Sequence, residues 1–437
     1  MYLVRPFSEP GNPEATVCIV SGRGCLVRDD GGREYLDANA GLWLVNAGYG
    51  RPELLAAATR QLEDLAYFPV FWGFTNPPAL RLASRLAELM PGGPGRVLFT
   101  TGGAEAVETA IKVARRYHFL RGEPERTGII ARHRAYHGLT GTALAAGGFP
   151  AYKEGFGPPD PDFSHIPPPY CYRCPWEQAK DCCGLECAHA LEAELRRRGP
   201  ERVAAFVAEP VAGVGGVLVP PQGYLPAVQE ICRRYGVLFI ADEIITGFGR
   251  TGRLFGVNHW GVEPDLMCLA KGLTSGYLPL GACLISEAVW KPFAESPSAF
   301  RHGYTYSGHA AACAVGLRNL ELILDEDLPG RSARLGEYLL NSLSALDHPA
   351  VGEVRGLGLM VGLELVADRA TRQPFDPKRW VGWELQEACR REGVLLRSLG
   401  DIISLSPPLV ITEEQIDLVV AVLDRCLRTE VDGKGLS

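Results

Sequence analysis

Between Pro52 and Pro279 the chain alternates amphipathic helical stretches with short runs that are apolar at almost every position: residues 128–131, 203–208, 237–241 and 266–270, with Arg96–Thr100 ahead of them. A strand with one wet face alternates apolar and polar residues, so a uniformly apolar strand must be covered on both faces. Such runs separated by helices predict a mostly parallel sheet between helical layers, an α/β architecture. Ligands of these sheets gather beyond the carboxyl ends of the strands. The residues that close each run are therefore the ones to search for chemistry.

Pro52 opens the helical stretch ELLAAATRQLEDLA, a position where its missing N–H costs nothing. ALRLASRLAELM stops at Pro91 and a glycine pair, and AEAVETAIKVARRYHFL follows Arg96–Thr100 across two further glycines. Another helix is expected over 225–235. Beyond it lie the helical HAAACAVGLRNLELIL, helices near 332–346 and 413–427, and apolar runs at 358–364 and 394–396. These last elements do not alternate regularly, which suggests a smaller α+β domain. The expected division is a large domain at 52–319 and a small one at 320–437, joined by the N-terminal segment 1–51 with its EYLDANAGLWLVNAGYG.

With 437 residues and 46% hydrophobic content, the chain can bury a large core and is not a disordered sequence. A formal net charge of -7, with both signs interspersed, gives no footprint for nucleic acid and no polybasic membrane patch. The start has no apolar stretch followed by small residues, so no secretory signal is visible. Thirteen cysteines, an odd number, fit free thiols in a reducing cytoplasm.

Lysine is scarce, and Lys271 ends the apolar run DLMCLAKGL. It is either a snorkelling strand-end lysine or a partly desolvated amine suited to forming a Schiff base. Asp242 closes VLFIAD on a neighbouring run, where it either caps a helix or serves the same rim. The turn Thr100-Thr101-Gly102-Gly103-Ala104, leading into a helix, offers backbone N–H groups to a phosphate, although glycines also serve tight turns. Amine, acid and anion-binding turn together describe a site for pyridoxal phosphate.

These residues lie in FIADEIITGFGRTG (239–252), PDLMCLAKGL (264–273), TTGGAEAVETAIK (100–112), YHG (136–138) and HGYTYSGH (302–309). In that order the sequence resembles the fold-type I, class III (omega) aminotransferases, from about Leu36 to Leu409. The resemblance implies a pyridoxal 5'-phosphate enzyme in which Lys271 binds the cofactor covalently and shuttles a proton, and Asp242 pairs with the pyridine nitrogen. It implies Tyr136 on one ring face, Ile244 on the other, and phosphate contacts from Gly103 and Ala104. The family often has serine where Ala104 stands, so one hydroxyl contact is missing. Thr305 matches a threonine that reaches the neighbouring subunit's cofactor, which implies a homodimer with shared sites and leaves a tetramer open.

GLWLVNAGYG and LLRSLGDIISLSPPLV most resemble the omega-amino acid or amine:pyruvate branch. There Trp43 matches an aromatic residue at the substrate entrance, and Arg397 a mobile arginine for the substrate carboxylate. Phe71 or Trp72 is an added aromatic wall or core. The implied reaction is a ping-pong amino transfer to a keto acid, with pyruvate the expected acceptor. A pyridoxal phosphate lyase of amino-alcohol phosphates is the alternative. Glu209 resembles a family acid near the cofactor, with a buried structural carboxylate as its other reading. His137 is read as positioning the YHG turn, His133 as structural, and Arg250 as supporting its loop.

Cys171 and Cys174, with Cys182 or Cys183 and Cys187, have spacings that zinc would accept. Thiols packed in a small reduced loop, with no metal, are the expectation.

Overall fold

The computed structural model describes residues 3–7, 17–179 and 182–432. Most of the N-terminal stretch judged for a secretory signal lies outside the described residues. The first strands, β1 (Ile19–Arg23), β2 (Leu26–Asp29) and β3 (Glu34–Asp37), form an antiparallel meander. Residues 394–395, from the far end of the chain, pair in parallel with β3.

The apolar runs pair with one another as expected. The central sheet contains β4 (Arg96–Thr100), β5 (Gly128–Arg132), β6 (Phe163–Ile166), β7 (Val203–Ala208), β8 (Leu238–Asp242), β9 (Leu266–Leu269) and β10 (Gly281–Ile285). Their order is β4-β10-β9-β8-β7-β5-β6, and only β10 runs against its neighbours. Every residue of β5, β7, β8, β9 and β10 is buried.

Side chains of neighbouring positions enter different cores, as the twofold repeat of a strand demands. Phe206, Phe239, Ala241, Met267 and Leu269 join the core that contains Val228 and Ile231 of helix Tyr224–Tyr235. Ala205, Val207, Ile240 and Cys268 pack with Ala106, Val107, Ala110 and Ile111 of helix Gly103–Leu120. This is a mostly parallel α/β sheet covered on both faces. The sequence reading missed β6, whose FSHI has no apolar run, and the reversed β10.

A third sheet, β11 (Val351–Gly356), β12 (Val361–Leu365), β14 (Arg397–Ser398) and β15 (Ile402–Leu405), has the order β11-β12-β15-β14, whereas β13 (Val394–Leu395) is the strand beside β3 in the first sheet. Helices Leu328–Ser344 and Val381–Arg391 pack on it, and helix Glu413–Cys426 packs on them. Thr412 and Gln415 start that last helix with a reciprocal capping box.

Arg250 ties these layers together from inside. Its guanidinium donates to the carbonyls of Leu359 and Pro407 and, at 2.8 Å, to Oδ1 of Asn46. Burial pulls this guanidinium down to about 9. It thus supports the loop after β8 by fastening it to the chain's two ends.

Candidate active site

β4, β5, β7, β8 and β9 share one direction, so their carboxyl ends form one rim. Asp242 is the last residue of β8, and Lys271 lies just past β9. The glycine turn leaves β4, Tyr136 and His137 follow β5, and Glu209 follows β7.

Lys271 has φ 44, a left-handed conformation that costs a residue with a Cβ roughly 1–2 kcal/mol. Burial pulls its amine down to about 8, Asp242 opposes that shift and Arg397 adds to it. Among the described residues the amine has no hydrogen-bond or ion-pair partner. It lies 5.5 Å from the centroid of the Trp43 ring. An amine near neutrality with nothing bonded to it is a nucleophile in waiting.

Asp242 is held rigidly. Its Oδ1 accepts from the N–H of Ile244 at 3.1 Å, and its Oδ2 lies 2.6 Å from Nδ1 of His137. His137 is buried, and its Nε2 has no partner among the described residues. The sequence reading put His137 in the YHG turn but did not foresee its bond to Asp242, which lies far away in the chain.

Helix Gly103–Leu120 begins at the glycine turn with no side chain capping it. Its first-turn N–H groups, including those of Gly103 and Ala104, are among those a helix leaves without internal acceptors. A Cβ at Gly103 would fall 2.9 Å from Cδ1 of Ile244, so glycine lets the turn pass beneath that side chain without displacing it. Gly138, at φ +120, packs so closely on Ala104 that a Cβ there would lie 2.5 Å from the alanine methyl. The YHG turn is thereby seated on the start of the helix.

Tyr136 is half-buried, and its hydroxyl is pushed up by burial. Its ring meets Tyr152 edge-on, with centroids 6.2 Å apart. Tyr152 was not singled out from the sequence, because it sits in an irregular stretch with no motif around it.

On the substrate side, Arg397 lies at the start of β14, its guanidinium carbon 5.3 Å from the centroid of Trp43. Burial lowers the guanidinium, and Tyr152 and Tyr136 counter that. Among the described residues Arg397 makes no hydrogen bond through its side chain. Trp43 is 1% exposed and sits at φ 60 in a sharp turn. Gly213 makes room for it, since a Cβ there would meet the indole at 2.9 Å. Phe71 is half-buried beside Trp72, which is 87% exposed and so is not core in the single chain.

Thr305 is exposed, and its carbonyl accepts from the Tyr67 hydroxyl at 2.7 Å. His133 packs its ring 5.6 Å from that of His165. Cys171, Cys174, Cys183 and Cys187 line one void of about 20 Å³. Among the described residues no His, Cys, Asp and Glu grouping is arranged to hold a metal.

One rim thus joins an unbonded, desolvated amine, a fixed carboxylate and an uncapped helix start, which together define an enzyme built for pyridoxal phosphate. Residues 7–427 match the family described as Aminotransferase class-III. The putrescine–pyruvate aminotransferase of Pseudomonas aeruginosa is 41% identical over 418 residues, covering 95% of this chain and 91% of that one. A thermostable (S)-enantioselective omega-transaminase from Thermomicrobium roseum superposes with a TM-score of 0.95 at 46% identity, over 98% and 97% of the two chains. An amine transaminase from an uncultivated Pseudomonas species, solved with pyridoxal phosphate bound, gives 0.94 at 40% identity over 98% and 99%. The chain belongs to the class III aminotransferases, which use pyridoxal phosphate, and it is an aminotransferase.

Proposed function

We propose that the protein transfers the amino group of an omega-amino acid or primary amine to a keto acid, pyruvate foremost, in two half-reactions of ping-pong type. The observation that carries this reading is the shared Trp43 ring. The Lys271 amine lies 5.5 Å from its centroid and the Arg397 guanidinium 5.3 Å from it. A guanidinium without a hydrogen-bonded partner can take a carboxylate through two bonds, beside the same ring that the reacting amine approaches. The same side chain can move aside for a donor that has no carboxylate. The putrescine–pyruvate and omega-transaminase relatives support both halves of the reading.

When bound, pyridoxal phosphate supplies an electron sink for the pair left on the substrate carbon. Lys271 Nζ would take the proton from that carbon and deliver it to the cofactor's former aldehyde carbon, on the far side of the transferred nitrogen. Asp242 would keep the ring nitrogen protonated, while Tyr136 and Ile244 would hold the two ring faces. Gly103 and Ala104 would hold the phosphate through their N–H groups.

Thr305, exposed in the single chain, reaches the partner's site in a cytoplasmic homodimer. The neighbouring exposed rings of Phe68, Trp72, Phe74 and Tyr306 form the surface that a second copy covers. Residues 52–319 act as the cofactor-binding domain, with 1–51 and 320–437 as the smaller one.

A panel of amine donors, each with pyruvate or 2-oxoglutarate, tests the proposal. Alanine formed from several terminal amines, with bleaching and return of the cofactor's absorbance in separate half-reactions, is expected. Ammonia released from a phosphorylated amino alcohol without any keto acid would replace this reading with the lyase.

A further inference from the structure

Behind Asp242 lies a second buried carboxylate that the reaction scheme above does not use. Glu209 is 3% exposed. Burial, and to a lesser degree Asp242, push its carboxyl group up, and His137 and Arg132 offset only part of that. Its Oε2 lies 3.3 Å from Nη2 of Arg132, and its Oε1 accepts from the N–H of Tyr136 at 3.4 Å. The same Nη2 donates to the Glu209 carbonyl at 2.6 Å.

Arg132 ends β5 and is 1% exposed, with the Tyr224 ring centroid 6.0 Å from its guanidinium. Its Nε and Nη1 have no hydrogen-bond partner among the described residues. A buried guanidinium with bonds left unmade is costly, and an apolar side chain of similar volume often does as well or better at such a position. What Arg132 adds is a fixed charge against Glu209.

His137 follows Tyr136, whose N–H is bonded to Glu209, and its Nδ1 lies 2.6 Å from Asp242 at the end of β8. Lys271, past β9, feels both carboxylates, and Arg397 opposes them from β14.

We propose that Glu209, clamped by Arg132, is a positioning residue for the reaction. Acting through His137, it maintains the negative potential at Asp242 that keeps the cofactor's ring nitrogen protonated. This rests on the proposed contact between Asp242 and that nitrogen. The sign follows from charge alone. Removing a nearby anion disfavours every cation on the rim, so the bound cofactor gives up its proton at lower pH.

The test uses the holoenzyme of Glu209→Gln, which keeps an acceptor for Tyr136 but not the charge. The pH midpoint of the bound cofactor's absorbance is expected to fall by about half a unit or more. kcat should drop roughly tenfold with KM within about threefold, the pattern of a lost transition-state interaction. Glu209→Asp, retaining the charge, should restore most of both. An unmoved midpoint with normal kcat in Glu209→Gln overturns the proposal. Asp242→Asn is measured beside it. If that variant shifts the midpoint and Glu209→Gln does not, only this inference fails. If neither shifts it, the contact between Asp242 and the ring fails too.

Discussion

The guanidinium carbon of Arg397 stands 5.3 Å from the centre of the Trp43 ring. The indole is fully enclosed, so it acts as a fixed shelf for a side chain that has no hydrogen bond of its own among the described residues. Replacing Arg397 with leucine keeps an apolar side chain there and removes the proposed carboxylate fork. KM for pyruvate should rise about 10- to 100-fold, corresponding to roughly 1.4–2.7 kcal/mol for a charge-assisted pair. Uncharged amine donors should keep their KM within about threefold, because their half-reaction does not need the fork. Steady-state kinetics with the two substrates varied separately would show this split, and an equal loss on both would point to a damaged site.

With Lys271 as the proposed point of attachment, cofactor loading should depend on pH. Only the neutral amine attacks an aldehyde, and burial brings this amine down to about 8 from the ordinary 10.5. Reconstitution of apoenzyme should therefore speed up about tenfold per pH unit below that value and level off above it. An unperturbed lysine would keep accelerating past pH 10. The unfolded chain binds the extra proton between the two values, so this group adds to apoenzyme stability as pH rises from about 8 toward 10.5. Lys271→Ala should abolish turnover and leave no label after borohydride reduction, as mass spectrometry of the peptide would show.

How far the sequence could carry these conclusions depended on distance along the chain. Leu238–Asp242 and Leu266–Leu269 announced themselves because burial on both faces leaves an unbroken apolar run, and Asp242 and Lys271 were found by being polar where those runs stop. Phe163–Ile166 escaped because its residues are only partly covered except at Ile166. The missed partnerships were those made between elements. His137 meets Asp242 across 105 positions, and Arg132 meets Glu209 across 77. No local pattern encodes such pairs, since the sheet order alone brings the ends of β5, β7 and β8 side by side. Tyr152 escaped for the same reason, as it reaches Tyr136 from a single 3-10 turn too short to show periodicity.

Gly103 and Ile244 form a pair in which one side chain exists only because the other is absent. A Cβ on residue 103 would push against Cδ1 and Cγ2 of Ile244 at 2.9 and 3.0 Å. The isoleucine end is flexible, so Gly103→Ala should fold and displace Ile244 from the place proposed for it against the cofactor ring. Overpacking of this kind costs about 1–3 kcal/mol, and pyridoxal phosphate affinity should fall at least tenfold. Adding Ile244→Val should recover a large part of that loss, giving non-additive effects in a double-mutant cycle read by equilibrium dialysis. Additive losses would show that the two residues do not share the cofactor's space.

Arg250 allows a stability prediction separate from the chemistry. Its guanidinium satisfies Oδ1 of Asn46 and the carbonyls of Leu359 and Pro407, all within the core. Arg250→Met fills the volume and avoids a buried charge, yet it strands three acceptors, each costing about 1–3 kcal/mol when left unpaired. Relief from burying the charge offsets part of this, so a net loss of about 3 kcal/mol is expected. Asn46 also donates to the Phe248 carbonyl and crowds Gly272, where a Cβ would fall 2.5 Å from its Nδ2. Loosening Asn46 therefore reaches the residue next to Lys271. Arg250→Met should lower the thermal midpoint of the apoenzyme and also slow its reconstitution. Arg250→Lys, whose single nitrogen cannot span the three acceptors, should recover little of either. A methionine variant with wild-type melting would mean that water readily replaces the guanidinium at all three acceptors.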